Sequence, residues 1–193
     1  VEIHDQLARF EGQTKEEDEE ISEAERKREA LEESFDGHSY MQAAKFLGEV
    51  RSEVSRLTSA NQHNDACSWA SGAQKSFARL ISYERMVLGL GPLRLEEKLS
   101  NAATGHSQDM KALGFFSHTS PVPGKASFGD RARKAGFRGS PRGECIAAGY
   151  GSASAAYRGW FYSDGHRHIM LARGPSVLGI GPVGSHWTLM TGR

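Results

Sequence analysis

The chain has 193 residues, with 24 Lys and Arg balanced by 24 Asp and Glu, a length suited to one domain with an appendage. The neutral total hides an acidic first third and a basic remainder; the basic part lacks a dense Lys/Arg run with interleaved aromatics, which argues against a nucleic-acid binder. No stretch approaches the roughly 20 continuous apolar residues of a membrane-spanning helix, and an opening at Val1 without the basic and apolar segments of a signal peptide reads as a processed form.

From about Thr14 to Phe35 the chain is rich in Glu, Lys, Arg and Ala, with Ile21, Ala24, Arg28, Leu31 and Phe35 spaced by three and four. That spacing predicts an amphipathic helix with a narrow seam. After a stop at Asp36-Gly37, Ala43, Leu47, Val50, Val54 and Leu57 repeat it, which together predicts an N-terminal helical hairpin. Each seam offers about two heptads where a sustained coiled coil wants three or four. The charges are therefore read first as the solvated face of a helical pair, and self-association through these helices is the alternative. Thr58 to Asp65 is polar and aperiodic and is the expected linker, giving an acidic arm with its linker over 1–65 and a second domain over 66–193.

In that second domain a helix is expected from about Trp69 to Leu88, stopped by Gly89-Leu90-Gly91-Pro92. A second helix, from about Glu96 to Leu113, sets Leu99, Ala103, His106, Met110 and Leu113 on one face and closes at Gly114. His106 on that face reads as a core histidine with a partner. Ser154 to Trp160 predicts a short helix with Ser154 suited to its N-cap. Gly143 to Ala148 is a strand candidate, and Val177–Val183, a Gly184-Ser185 turn and His186–Met190 read as a hairpin. The class is α+β. Cys67 and Cys145 suit one disulfide or two buried thiols.

The chemistry-bearing residues lie in three blocks: Phe116-Ser117-His118, Gly143-Glu144-Cys145, and Trp160 through Ser163, Asp164 and His166 to Arg167. These blocks stand in order with Leu80-Ile81-Ser82-Tyr83-Glu84-Arg85, Gly89-Leu90-Gly91-Pro92-Leu93, His106-Ser107-Gln108-Asp109-Met110, Asp130-Arg131 and Leu178-Gly179-Ile180-Gly181. The ordered set resembles the CAP superfamily of cysteine-rich secretory, antigen 5 and pathogenesis-related proteins, most closely its bacterial branch, over roughly the last three-fifths of the chain.

The resemblance implies an α-β-α sandwich with a small antiparallel sheet between helical layers, and export to the cell surface, periplasm or medium. It also implies a cleft in which His118, Glu144 and His166 occupy family positions. Ser163 stands where relatives with a full tetrad carry a fourth acid; Asp164 is adjacent, and Trp160 and Ser117 complete the candidate binding residues. Two neutral imidazoles and a carboxylate can ligate zinc with an open fourth position, so a divalent metal such as zinc is the candidate cofactor, held by His118, His166 and Glu144. No His-Glu-x-x-His helix supports that set by spacing, and the alternative is a metal-free cleft in which Glu144 orients the histidines. Ser117, Ser120 and Ser163 lie near histidines, but no Gly-x-Ser-x-Gly elbow is present. Strand alternation would turn Cys145 away from Glu144.

The leading expectation is an extracytoplasmic binding module whose ligand is a small apolar molecule such as a lipid or sterol, or a cell-wall or surface component. A metal-assisted hydrolase using His118, Glu144 and His166 is the second reading, and an assembly protein acting through the N-terminal helices the third.

Overall fold

The computed structural model of the protein describes residues 22–23, 25–27 and 37–193. The chain divides into two compact units, Val1–Val50 and Arg51–Arg193. The expected first helix, Thr14 to Phe35, lies outside the described residues except for 22–23 and 25–27, which are helical. The second is present, within a 30-residue helix α1, Gly37–Ala66.

The expected linker is not a loop: Thr58 to Asp65 continues α1. Its polarity serves specific hydrogen bonds. The fully buried Asn64 donates through Nδ2 to the Leu93 carbonyl at 3.1 Å and accepts from the Leu95 N–H at 2.7 Å, and His63 Nε2 lies 3.1 Å from the Leu95 carbonyl. The amide side chain thus does for strand β1, Arg94–Leu95, what a neighbouring strand would do, satisfying backbone groups that are costly to bury unpaired.

Helix α2, Gly72–Val87, starts on a capping box in which Ser71 and Gln74 serve each other's backbone N–H. Gln74 also donates to the Ile180 carbonyl at 2.7 Å, tying the helix start to the sheet. Helix α3, Glu97–Leu113, ends on Gly114 at φ 67°, whose N–H bonds the Met110 carbonyl; only glycine adopts this left-handed cap at no steric cost. Helix α4, Phe128–Lys134, has a Ser127/Asp130 capping box. Helix α5, Ala153–Phe161, is capped by Ser152 and not by Ser154, which sits inside its first turn. Helix α6 is Asp164–Met170.

Three longer strands complete the sheet: β2 (Pro141–Ala147), β3 (Val177–Val183) and β4 (His186–Gly192). The order is β1-β3-β4-β2. The β2–β4 and β3–β4 pairs are antiparallel, as expected, while the two-residue β1 lies parallel to β3. Sequence periodicity cannot reveal a strand this short. On one face Cys145, Ala147, Leu178, Ile180, Trp187 and Leu189 pack with Phe77, Ala78 and Ile81 of α2, Ala156 and Trp160 of α5 and Met170 of α6. Opposite them Met190 packs with Leu99, Ala102 and Ala103 of α3 and Ala132 of α4.

This is an α-β-α sandwich, and the approach of α3 to the sheet is set by glycine. A Cβ on Gly179 would fall 2.4 Å from the Leu99 carbonyl carbon, and one on Gly181 would fall 2.1 Å from the Thr104 nitrogen. The Leu-Gly-Ile-Gly run therefore alternates buried side chains on the α2 face with bare backbone on the α3 face.

Candidate functional site

Strand β2 is the outer edge of the sheet, and strict alternation along it divides its residues. Cys145 joins the α2-side core, so Glu144 points to the other face, toward α3 and α4. Its side chain is 1% exposed. A buried carboxylate needs partners, and Glu144 has one for each oxygen: His118 Nδ1 at 2.8 Å from Oε1, and Arg131 Nη2 at 2.5 Å from Oε2.

Arg131, from α4, is equally buried at 1% side-chain exposure. Beyond Glu144 it donates to three carbonyls, Lys125 at 2.8 Å, Ala126 at 3.1 Å and His118 at 3.0 Å. One guanidinium therefore binds the Glu144 carboxylate and the backbone of the loop that carries His118. Its partner in holding this loop is His106, fully buried on α3, whose Nε2 lies 3.0 Å from the Ser117 carbonyl. A carbonyl only accepts, so Nε2 carries the proton and Nδ1 is bare; that Nδ1 is buried without a hydrogen-bond partner among the described residues, as is Nε of Arg131. Burial, reinforced by the charge of Arg131, holds the His106 pKa below 6.5.

His118 itself is presented to solvent, with 56% of its side chain exposed. Glu144 fixes one ring nitrogen and leaves Nε2 outward. His166 comes from the opposite helical layer, on α6, and its Nδ1 lies 2.9 Å from Ser163 Oγ. Ser163 occupies the N-cap position of α6, yet its side chain makes no cap hydrogen bond; unlike the serines that start α2, α4 and α5, it is committed to the imidazole. Burial lowers the His166 pKa, and the neighbouring His118 lowers it further by charge repulsion. Cys145 Sγ, 3.8 Å from the His166 carbonyl, connects α6 to β2 from the core side.

The remaining sequence candidates fall elsewhere. Asp164 pairs with Arg167 on its own helix and is 91% exposed, so it does not take the place of a fourth cleft acid. Trp160, expected among the binding residues, is a core residue: it is 1% exposed, donates from Nε1 to the Ile146 carbonyl at 3.0 Å and meets Phe77 edge-on at 5.5 Å. Its ring centroid is 6.4 Å from that of His166, so it backs the histidine from behind. Ser117 Oγ accepts from the Thr119 N–H at 3.1 Å, a turn contact. Cys67 and Cys145 are both free and buried; burial pushes both thiols up, most strongly Cys145, which makes them poor nucleophiles.

The donor set does not fit a three-ligand metal site. Both oxygens of Glu144 are engaged, and among the described residues no group of three His, Cys, Asp or Glu side chains is placed to hold an ion. Arg131 is the residue that sequence reasoning missed. Asp130 caps α4 and pairs with Arg133, while Arg131 turns inward to Glu144.

Comparison with known proteins agrees with this architecture. The chain is 35% identical over 130 residues to YkwD of Bacillus subtilis, covering 66% of this chain and 50% of that protein. It is 34% identical over 116 residues to YlbC of the same organism, which is named as a membrane protein, covering 60% and 33%. This chain thus spans half the length or less of these relatives. A crystal structure of an extracellular SCP-domain protein of Bacillus anthracis matches with a TM-score of 0.59 and 32% identity, over 62% of this chain and 39% of that one. An outer surface protein of Borrelia burgdorferi shares the fold at a TM-score of 0.55 and 17% identity, over 62% and 90%. The family model described as CAP, the cysteine-rich secretory protein family, matches residues 78–186, more than half of the chain. The chain belongs to the CAP family.

Proposed function

We propose that the protein is an extracytoplasmic binding module that takes a polar cell-wall or surface component at His118 and His166, without a metal. The observation that carries this reading is the full engagement of Glu144 by His118 and Arg131: the carboxylate orients an imidazole and is not free to ligate or to abstract a proton. His118 Nε2 is then a fixed, exposed hydrogen-bonding group, and Phe116 and Tyr162, 56% and 78% exposed, flank the two histidines in sequence with aromatic surface for a ring or chain to lie on. A lipid or sterol would ask for an apolar cavity of about 300 Å³ or more. The cavity that shares Arg131 with this region is smaller, about 250 Å³, and is lined by Lys125 and Lys134 as well. Export is proposed from the extracellular description of the Bacillus anthracis protein.

Hydrolysis is the second reading, and one contact favours it: Ser163 Oγ and His166 Nδ1 stand as nucleophile and neutral base do. The orienting carboxylate, however, serves the other histidine, so the parts of a triad are divided between two imidazoles. Cosedimentation with insoluble peptidoglycan sacculi tests the binding reading. Binding should saturate and weaken at least ~10-fold in His118→Ala, the loss of one well-formed hydrogen bond to a charged or polar group. Sacculi that leave the protein in the supernatant, or that bind His118→Ala equally well, would overturn it; soluble fragments released by wild type and not by Ser163→Ala would favour hydrolysis.

A further inference from the structure

Beside α6 lies a cavity of about 440 Å³ lined by Arg142, His168, Arg173, Gly174, Pro175 and Thr191, among others. Among the described residues no acidic side chain lines it. Arg142 and Arg173 are exposed and make no side-chain hydrogen bond or ion pair among the described residues, whereas Arg167, which lines an adjacent cavity with Asp164, is paired with that aspartate.

Both arginines sit at irregular points of the backbone. Arg142 is the extra residue of a register shift in β2, between Pro141 opposite Gly192 and Gly143 opposite Thr191. A bulge on an edge strand takes its side chain out of the alternation and re-aims it. Arg173 sits in the turn after α6, just before Gly174 at φ 104°. That turn is anchored from inside by Arg85 of α2, which is 1% exposed and donates to the carbonyls of Met170 at 2.8 Å, Ala172 at 3.0 Å and Pro175 at 3.4 Å, with a fourth bond to Gly91 at 2.8 Å. Burying a guanidinium to fix one surface turn is an expensive arrangement, and its result is a preorganised loop that places Arg173 on the same cavity as Arg142. His168, on the outward side of α6, adds a third nitrogen donor set.

We infer that this cavity binds a phosphate group of a small phosphorylated ligand, with Arg142 and Arg173 as the two forks. Planar guanidiniums reaching from two separate elements suit the several oxygens of a tetrahedral oxyanion better than the two coplanar oxygens of a carboxylate. The site is distinct from the His118/Glu144 region and does not depend on how that region is read.

The test is calorimetric titration of the full chain with inorganic phosphate, and with acetate at matched ionic strength, at neutral pH. Phosphate should bind saturably with a Kd of about 1 mM or tighter, the strength of two or three charge-assisted contacts at a partly open site. Acetate should bind at least ~10-fold more weakly. The Arg142→Gln/Arg173→Gln double variant, checked for an unchanged melting temperature, should lose at least ~10-fold in phosphate affinity, and His118→Ala should lose none. If the double variant fails to fold, the single exposed Arg173→Gln substitution serves, and should still weaken binding. Absence of saturable heat, equal affinity for acetate, or phosphate binding untouched by the arginine substitutions would each overturn the inference.

Discussion

The Glu144–Arg131 pair is the residue on which the site's geometry depends most, because both side chains are buried and each is the other's charge partner. Removing one member leaves an uncompensated buried charge, so Glu144→Ala and Arg131→Ala should each destabilise by about 3–5 kcal/mol. The double substitution Glu144→Ala/Arg131→Ala should be far less damaging than the sum, and it should release His118. Urea denaturation of the three variants measures the coupling; additive effects would mean that the two groups do not share one network. The histidines add a pH dependence. His106 and His166 both have pKa values lowered by folding, so between their folded values and the ordinary value of 6.5 the unfolded chain binds more protons than the folded one. By linkage, stability rises with pH through that window and is lost as pH falls below about 6.5. Thermal melts from pH 7.5 to 5.5 should show this decline, and His106→Gln, which keeps a donor for the Ser117 carbonyl, should flatten it.

At the scale of elements, the close seating of α3 on β3 is the feature with the least tolerance. Gly179→Ala and Gly181→Ala would each push a methyl group into α3 backbone, not into a movable side chain, so a loss of about 3 kcal/mol or more is expected for either, above the usual overpacking range. By contrast Gly105→Ala, on α3 itself with open space around its Cβ, should stabilise by up to ~1 kcal/mol through helix propensity alone. Comparing midpoints of chemical denaturation for the three variants separates the steric effect from propensity. Most of these elements were legible in the sequence. Helices α2, α3 and α5 and the β3–β4 hairpin follow from periodicity and from Gly, Ser and Pro punctuation, and Glu144 and Cys145 face opposite ways as strand alternation requires. What periodicity could not supply was pairing between distant polar groups. Nothing in the spacing of Arg131 and Glu144 links them, and only the fold brings the guanidinium within 2.5 Å of the carboxylate; Ser163 reads as a vacant position in a tetrad, and only the fold shows it hydrogen-bonded to His166 in place of a cap bond.

The same limitation governs the whole molecule. A segment of polar, aperiodic residues reads as solvated because solvent is the commonest partner for polar groups, but Thr58 to Asp65 contains residues whose partners are the backbone of another element. The unit that carries the sheet accordingly reaches back to Arg51, and the end of α1 is expected to be part of its core. Deleting residues 1–50 should leave a fragment that unfolds cooperatively, with Asn64 still bonded to Leu93 and Leu95. Deleting residues 1–65 removes His63 and Asn64 and takes from Leu95 in β1 the partners of its carbonyl and its N–H, each costing about 1–3 kcal/mol, in addition to the apolar surface that α1 covers through Ala60, 1% exposed; the Leu93 carbonyl keeps the Ser82 hydroxyl as a donor. Asn64→Ala in the full chain leaves the Leu95 N–H unpaired and should destabilise by about 1–3 kcal/mol. Limited proteolysis supplies the complementary measurement: cleavage within Thr58–Asp65 should be slow and should track global unfolding, since a protease needs extended backbone there and the helix must first be undone. Rapid cleavage at that segment, with a stable fragment beginning near Cys67, would show that the contacts of Asn64 contribute little and that the sheet unit is complete without α1.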